Sequence, residues 1–423
     1  MVPFVTVQIS DATYRWLLDA KDDQNKKNAA VSNGLFLLLI SSTGFFVICM
    51  VASLFLHIQY MYYFIVILLL SGLLPFLQQV IRGLGNNKLY SFIGIANSLF
   101  LVIFNLIFIL GLKMRLEGLL ISTIIANIIS ILLISFKINL PKIFSFGLVS
   151  KKEMWAMLQY SWPLIPNMIS WWLINEVNRF IILLKIGPDA NGIFAISNRF
   201  PAIIIILNSI FMLSWQDHAI GAQKDEDKDA FYSKIFNVFM TLELSVVIFL
   251  TSISHYTVKY LIGPQFQDSW KYMPLLYLSV AFSSFAGFLG VGYLAAKKTR
   301  GIFTTSIISS VLNILISYLL IDKIGLYAPA LGTLTGFVLM WLIRLYQTRH
   351  FFKLKLNYTT FFALLINALA FIVLAAMQST YLDITLIIIA ILILITCNKQ
   401  LVKFIFGFIS NRFNSLKFKS KAG

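Results

Sequence analysis

Twelve apolar runs set the terms for this chain, at about 33–57, 61–81, 90–112, 117–136, 158–185, 190–215, 232–254, 271–296, 301–321, 325–347, 359–377 and 381–397. Most approach the ~20 residues that carry a helix across a bilayer. A segment in lipid must satisfy its own backbone groups, which helices do within one segment. The composition agrees: 59% of residues are hydrophobic and 12% charged, where a soluble domain carries about a quarter charged. The runs predict an all-α integral membrane protein of about twelve transmembrane helices.

The net charge of +17 raises nucleic acid as a partner, and the placement of the cations answers it. With the segment before the first run taken as cytosolic, 26 of the 34 Lys and Arg fall on the cytosolic side and 6 outside. Arg179 and Arg199 remain inside runs. A split that alternates loop by loop is the positive-inside pattern. It places the C-terminus in the cytosol and makes the charge a topology signal, with no nucleic acid implied.

Several shorter features carry less. Cys49 and Cys397 lie in separate apolar stretches, and His57, His218, His255 and His350 are far apart, so neither disulfide nor metal spacing is present. "RGLGNNK" (82–88) holds a G-x-G without a preceding strand and reads as a helix-linking turn. "NYT" (357–359) matches a glycosylation acceptor on the cytosolic side, and "KDEDKD" (224–229) reads as a solvated loop. "MVPFVTVQIS" is too short to span and reads as the last turns of a helix whose beginning is absent. Residues 85–126 resemble 296–336: each has a basic turn, a helix with a central Asn105 or Asn313, and a second helix carrying Thr123 or Thr333. Parallel repeats of this kind are a transporter architecture.

"WWLINEVNRFIILLKIG" (171–187) is the most informative stretch, because it holds Glu176, Asn178 and Arg179 inside an apolar run. An ionised residue at the centre of a membrane helix costs roughly 2.5–3.5 kcal/mol on insertion scales. Helix rise places Arg179 about 9 Å and Arg199, in the next run, about 13 Å below the outer surface. Pro201 beside Arg199 predicts a kink. Glu176 shares a helix face with Arg179, and Glu243 falls near the middle of its own run. Two readings remain open. Glu176 neutralises Arg179 and Glu243 neutralises Arg199, fastening helices together; or the two guanidiniums face a cationic cavity for a phosphorylated headgroup, which they bind bidentately. Asn167, Asn175, Asn178 and Asn208 add hydrogen-bonding groups suited to sugar hydroxyls or water, or to neighbouring helices.

The chain resembles the multidrug/oligosaccharidyl-lipid/polysaccharide exporter superfamily. Within it, the likeness is to bacterial polysaccharide (O-antigen or capsule) repeat-unit flippases of the Wzx type. The likeness rests on "ISDATYRWLLD" (9–19), "RGLGNNKLY" (82–90), "YSWPLIPNMISWWLINEVNRFIIL" (160–183), "NGIFAISNRFP" (191–201), "SWQDHAI" (214–220), "LIGPQFQDSWKYMP" (261–274) and "KKTRGIFTTSIIS" (297–309), in that order. It implies a MATE-like fold of two pseudo-symmetric six-helix lobes around a central cavity, plus an extra C-terminal helix pair. On that pattern residues 1–150 form a first lobe lacking its first helix and most of its second. Residues 151–355 form the second lobe, and 356–423 the extra pair with a basic cytosolic tail.

The implied activity is not enzymatic. It is the flipping of undecaprenyl-pyrophosphate-linked oligosaccharide from the inner to the outer leaflet of the bacterial cytoplasmic membrane by alternating access. Arg179, Arg199, Asn175, Asn178 and Asn208 are the expected cargo-binding residues. Glu176 and Glu243 are expected to tune charge or to couple transport to H+ or Na+, with no other cofactor. Polysaccharide polymerase and chain-length machinery are the implied protein partners. Asn178 stands where relatives commonly carry Asp, and Arg199 where Lys is common. Two alternatives stand beside this: a multidrug cation antiporter of the same superfamily, whose cavity should be acidic, and a membrane polysaccharide polymerase or ligase, which should present substantial outward loops.

Overall fold

A computed structural model describes residues 2–55, 59–221, 227–377, 379–399 and Lys403. His57, residues 222–226 of the "KDEDKD" loop region and the basic tail beyond Lys403 lie outside the described residues. Among those described there are helices and turns and no strand. The chain divides into two compact units, residues 1–169 with 297–303, and residues 170–296 with 304–423. Among the described residues ten helices are long and apolar enough to cross a membrane, so this is a multi-pass membrane protein.

Unit 1 contains α1 (Val2–Thr6), α2 (Ile9–Ala20), α3 (Gln24–Phe55), α4 (Met61–Gly83), α5 (Asn87–Asn105), α6 (Arg115–Lys137), α7 (Leu140–Ile143) and α8 (Lys151–Ser161). Helix α2 packs against α3, α4 and α8 because Ile9, Ala12, Thr13, Tyr14 and Leu17 recur at helical spacing and are buried. Close approach needs glycine here: a Cβ on Gly34 of α3 would lie 2.1 Å from Thr13 Oγ1. The α4–α5 link is the turn expected of "RGLGNNK". Gly85 takes φ +84°, the left-handed form favoured after a helix, and the Asn86 side chain caps α5 by accepting from Leu89 N at 3.1 Å. Asn357, the asparagine of "NYT", is likewise a cap, accepting from Thr360 N at the start of the 358–375 helix.

The end of α2 forms a polar clasp. Asp19 bonds Arg15 one turn back, and Lys297 Nζ reaches Asp19 Oδ2 at 2.8 Å while lying 3.9 Å from the Trp16 ring centre. Burial alone would raise the Asp19 carboxyl, but Lys297 and Arg15 outweigh it and hold the group below the ordinary carboxylate range. A depressed folded-state pKa stabilises above the unfolded value of about 3.9 and loses its effect as pH falls through the folded value. Wild-type protein should therefore lose melting temperature progressively in acid below about pH 4. Asp19→Asn should melt lower at neutral pH and show a flatter acid limb in melts across that range; an unchanged limb would mean that the clasp contributes nothing to stability.

The two segments that resemble each other in sequence fasten their helices differently. In unit 1, Asn97 of α5 bonds Asn127 Oδ1 at 3.2 Å and Ser130 Oγ at 3.0 Å on α6. Thr123 turns back to its own helix at Leu119 O. A π-helical turn, Leu106–Gly111, follows Asn105 and widens the helix there, which shifts the facing register.

Unit 2 takes most of α9 (Leu164–Lys185), then α10 (Pro188–Ser197), α11 (Pro201–Gly221), α12 (Lys228–Leu261), α13 (Met273–Ala295), most of α14 (Arg300–Ile324), α15 (Tyr327–Gln347), α16 (Tyr358–Ala375) and α17 (Thr380–Cys397). Helix α13 is apolar all round, so it is buried on nearly every side. It packs on α11, α12 and α15, while α16 and α17 pack on α12. On α15, Gly332 and Gly336 form a G-x-x-x-G pair against Ser309, Asn313 and Ser317 of α14. Small residues allow this approach, and Asn313 crosses it to Thr333 Oγ1 at 3.2 Å.

Three sequence expectations are amended. The run 158–185 is broken into α8 and α9, and the polar residues of α9 dilute its hydropathy; α17 is also short for a span. The run 190–215 is two helices separated by a turn at 198–200, where Pro201 starts α11 rather than kinking a continuous helix. Arg344, near the end of the 325–347 run where a cation is expected to reach cytosolic water, is 2% exposed. Its guanidinium donates to Ala286 O at 2.8 Å, Thr305 Oγ1 at 3.0 Å and Ser306 Oγ at 3.0 Å, joining α13, α14 and α15.

Candidate functional site

Four helices of unit 2 each turn one face toward a cavity of about 590 Å³. From α9 come Trp172, Glu176 and Arg179, and from α11 Ala202, Ile205, Asn208, Ser209 and Met212. From α13 come Leu276, Ser279, Val280, Ser283, Ser284 and Gly287, and from α15 Thr333 and Phe337. These positions recur every three or four residues, as a single face of a helix must. Trp171, Asn198 and Pro201 complete the wall. The volume lies in the range of small-molecule sites.

The charged lining residues are Glu176 and Arg179. One turn apart on α9, they approach to 3.4 Å between Oε2 and Nη1 and are 34% and 44% exposed. Arg179 presents five N–H donors in a planar fork, more than one carboxylate oxygen at that distance takes up. The pair is neutral overall, yet its guanidinium stays accessible to an anion entering the cavity.

Polar groups continue along α13 and α11. Ser279 and Ser284 bond the carbonyls of Leu275 and Val280 within their own helix, which lets hydroxyls sit among apolar residues at little cost. Asn208 donates to Ser284 Oγ at 2.7 Å, and the Glu243 carboxyl of α12 lies next to it. Glu243 is 4% exposed and off the lining, and among the described residues its Oε2 has no hydrogen-bond partner. A buried carboxyl therefore stands one amide behind the wall.

The other residues singled out in the sequence are placed elsewhere. Asn178 is buried and donates to Thr333 Oγ1 at 2.9 Å, holding α9 to α15. Arg199 is exposed in the 198–200 turn and is not on the lining; its neighbour Asn198 is. Asn167 belongs to the part of α9 that groups with unit 1. The Asn175 side chain lies outside the described residues. No metal-holding cluster of His, Cys, Asp or Glu occurs among the described residues. Sequence reading overlooked Trp171, Trp172 and the serines of α13. The spacing of Ser279, Ser283 and Gly287 at i, i+4 and i+8 was the available signal.

The profile of a family described as "polysaccharide biosynthesis protein" matches residues 1–215. No curated protein matches the sequence significantly. Solved structures similar to this fold include a MATE transporter in the bent conformation, at 14% identity and TM-score 0.73, covering 87% of this chain and 86% of that one. The Vibrio cholerae MATE transporter VcmN in its bent form is 15% identical, with TM-score 0.69 and coverage of 88% and 87%. A superfamily transporter from Pyrococcus furiosus, whose binding pocket is described as reversed in polarity, is 14% identical, with TM-score 0.72 and coverage of 82% and 84%. At these identities the likeness is one of fold.

Proposed function

Since the chain belongs to the polysaccharide biosynthesis protein family, we propose that it flips undecaprenyl-pyrophosphate-linked oligosaccharide repeat units from the inner to the outer leaflet of the bacterial cytoplasmic membrane. Family and fold together support a membrane exporter; the cargo is the proposal. The observation that carries it is the lining of the unit 2 cavity, where an accessible guanidinium stands among indole rings, amides and hydroxyls. A diphosphate and several sugars cannot enter hydrocarbon bare, because unpaired ions and hydroxyls are costly there. Arg179 supplies charge-assisted bonds to phosphate. Asn208, Asn198 and the α13 serines meet hydroxyls, and Trp171 and Trp172 offer apolar faces to sugar rings. The polyprenyl chain stays in lipid. Glu176 sets how strongly Arg179 holds its anion, and Glu243, behind Asn208, is the candidate for coupling to H+ or Na+.

A second reading is export of organic cations, and one observation favours it: the Glu176 carboxylate and two tryptophans share the same wall, a pairing suited to cations. Vesicles reconstituted with the protein separate the two. Lipid-linked oligosaccharide should reach the opposite leaflet, and a fluorescent organic cation should not accumulate; the reverse result would reject the flippase reading. In the same vesicles Trp172→Ala should slow flipping about ten-fold, equivalent to about 1.4 kcal/mol. A rate equal to wild type would remove the ring from the cargo path.

A further inference from the structure

The chain between α6 and α9 is built as a surface rather than as slack. Residues 138–150 hold only the short α7 and a single turn at Phe146–Leu148, and two fully buried side chains of α3 pin them. Ser145 N donates to Ser32 Oγ at 3.0 Å, Ser150 N to Asn33 Oδ1 at 2.8 Å, and Asn33 Nδ2 to Leu148 O at 3.0 Å. The backbone is thus held while the Phe146 ring, edge-on against the half-buried Phe144 at 4.8 Å between centres, stays exposed. Phe146 and Trp155 are 71% and 63% exposed, and Phe136, at the end of α6, is 78% exposed.

Lys137, Lys142, Lys151 and Lys152 are exposed among these rings. The one acid of the segment, Glu153, is engaged by Trp16 Nε1 at 3.0 Å. Lys151 and Lys152 also occupy the first turn of α8, where the helix already presents partial positive charge. A cluster of this kind is costly without a countercharge. Bare water disfavours the rings, and hydrocarbon disfavours the lysines. The zone that suits both is the headgroup layer of an anionic leaflet, where aromatic rings settle at the acyl boundary and lysines meet phosphate. The position agrees: the strap starts where the α6 span ends and is tied to the first turns of α3, on the side that the cation split assigns to the cytosol.

We propose that residues 136–155 form a docking surface for anionic phospholipid headgroups of the cytosolic leaflet, with Lys137, Lys142, Lys151 and Lys152 contacting phosphate and Phe136, Phe146 and Trp155 inserted beside them. The proposal is independent of the cargo. Each lysine near an anionic surface adds roughly a five-fold gain in partition.

The full chain in nanodiscs provides the test, using phosphatidylcholine alone and phosphatidylcholine mixed with phosphatidylglycerol. Backbone amides of the α8 first turn should exchange roughly five-fold or more slowly in the mixed discs. The triple variant Lys142→Gln, Lys151→Gln, Lys152→Gln should lose that difference. Phe146→Ser with Trp155→Ser should exchange faster than wild type in both discs while keeping some lipid dependence. These residues are exposed, and the melting temperature of each variant confirms folding. Equal exchange in the two discs overturns the proposal. So does protection that survives the triple lysine change, that free inorganic phosphate reproduces in phosphatidylcholine discs, or that appears only with an added soluble protein.

Discussion

Replacing Arg179 with alanine should lower outer-leaflet repeat units by about a hundred-fold at normal protein level, measured in cells carrying the variant as their sole copy. Two effects act in the same direction. The cavity loses the one cation among its described lining residues, and Glu176, no longer compensated at 3.4 Å, leaves a net negative wall facing a diphosphate. Losing a hydrogen bond between a guanidinium and a charged cargo group costs about 1.5–3 kcal/mol. A hundred-fold loss corresponds to about 2.8 kcal/mol. The combination Arg179→Ala with Glu176→Gln separates the two effects, because it removes the stranded carboxylate and should recover part of the flux. Arg179→Lys should fall between, since an ammonium cannot match the planar fork. Full surface polysaccharide from the Arg179→Ala strain would reject the site.

The second large effect is structural. Gly332→Leu should destabilise unit 2 by about 3 kcal/mol or more, at or above the upper end for overpacking in a well-filled core. Even a single Cβ at this position would lie 2.3 Å from Ser317 Oγ and 2.8 Å from the Asn313 carbonyl oxygen. The second of these is backbone and cannot rotate aside. Separating α14 from α15 would also strain the Asn313–Thr333 bond and, through Thr333, the hold on Asn178. Thermal melts in detergent should show a large drop for Gly332→Leu and a smaller one for Gly332→Ala. A melt superimposable on wild type would mean that the two helices do not pack as described.

The all-helical membrane fold was legible because run length and hydropathy are properties of single segments. The Glu176–Arg179 pair was legible for the same reason: both residues sit on α9, three apart. Arg199 was misplaced because helical periodicity was extrapolated through a position where the chain breaks. Pro201 permits either a kink or a fresh start, and neighbours in space decide which. Asn178 reads like any polar residue facing a cavity until Thr333, 155 residues along, takes its amide. Arg344 lies at the end of an apolar run, where a long cation ordinarily reaches toward water. Its acceptors on α13 and α14 are remote in sequence, so nothing local marked it as buried. The serines of α13 were invisible for a related reason, since a serine bonded to its own helix looks the same in a wall as in a core.

The mutual cancellation of Glu176 and Arg179 bears on electrical work. As the charged groups on the cavity wall, they sum to zero, so the voltage across the membrane exerts no net force on the unloaded site through them. A diphosphate resting there would add uncompensated negative charge, each unit of which feels roughly 2.3 kcal/mol per 100 mV. In a cell whose interior is negative, that force points outward. On the proposed flippase function, loading alone would then make the outward stroke voltage-assisted, while the empty return stroke would stay electrically silent.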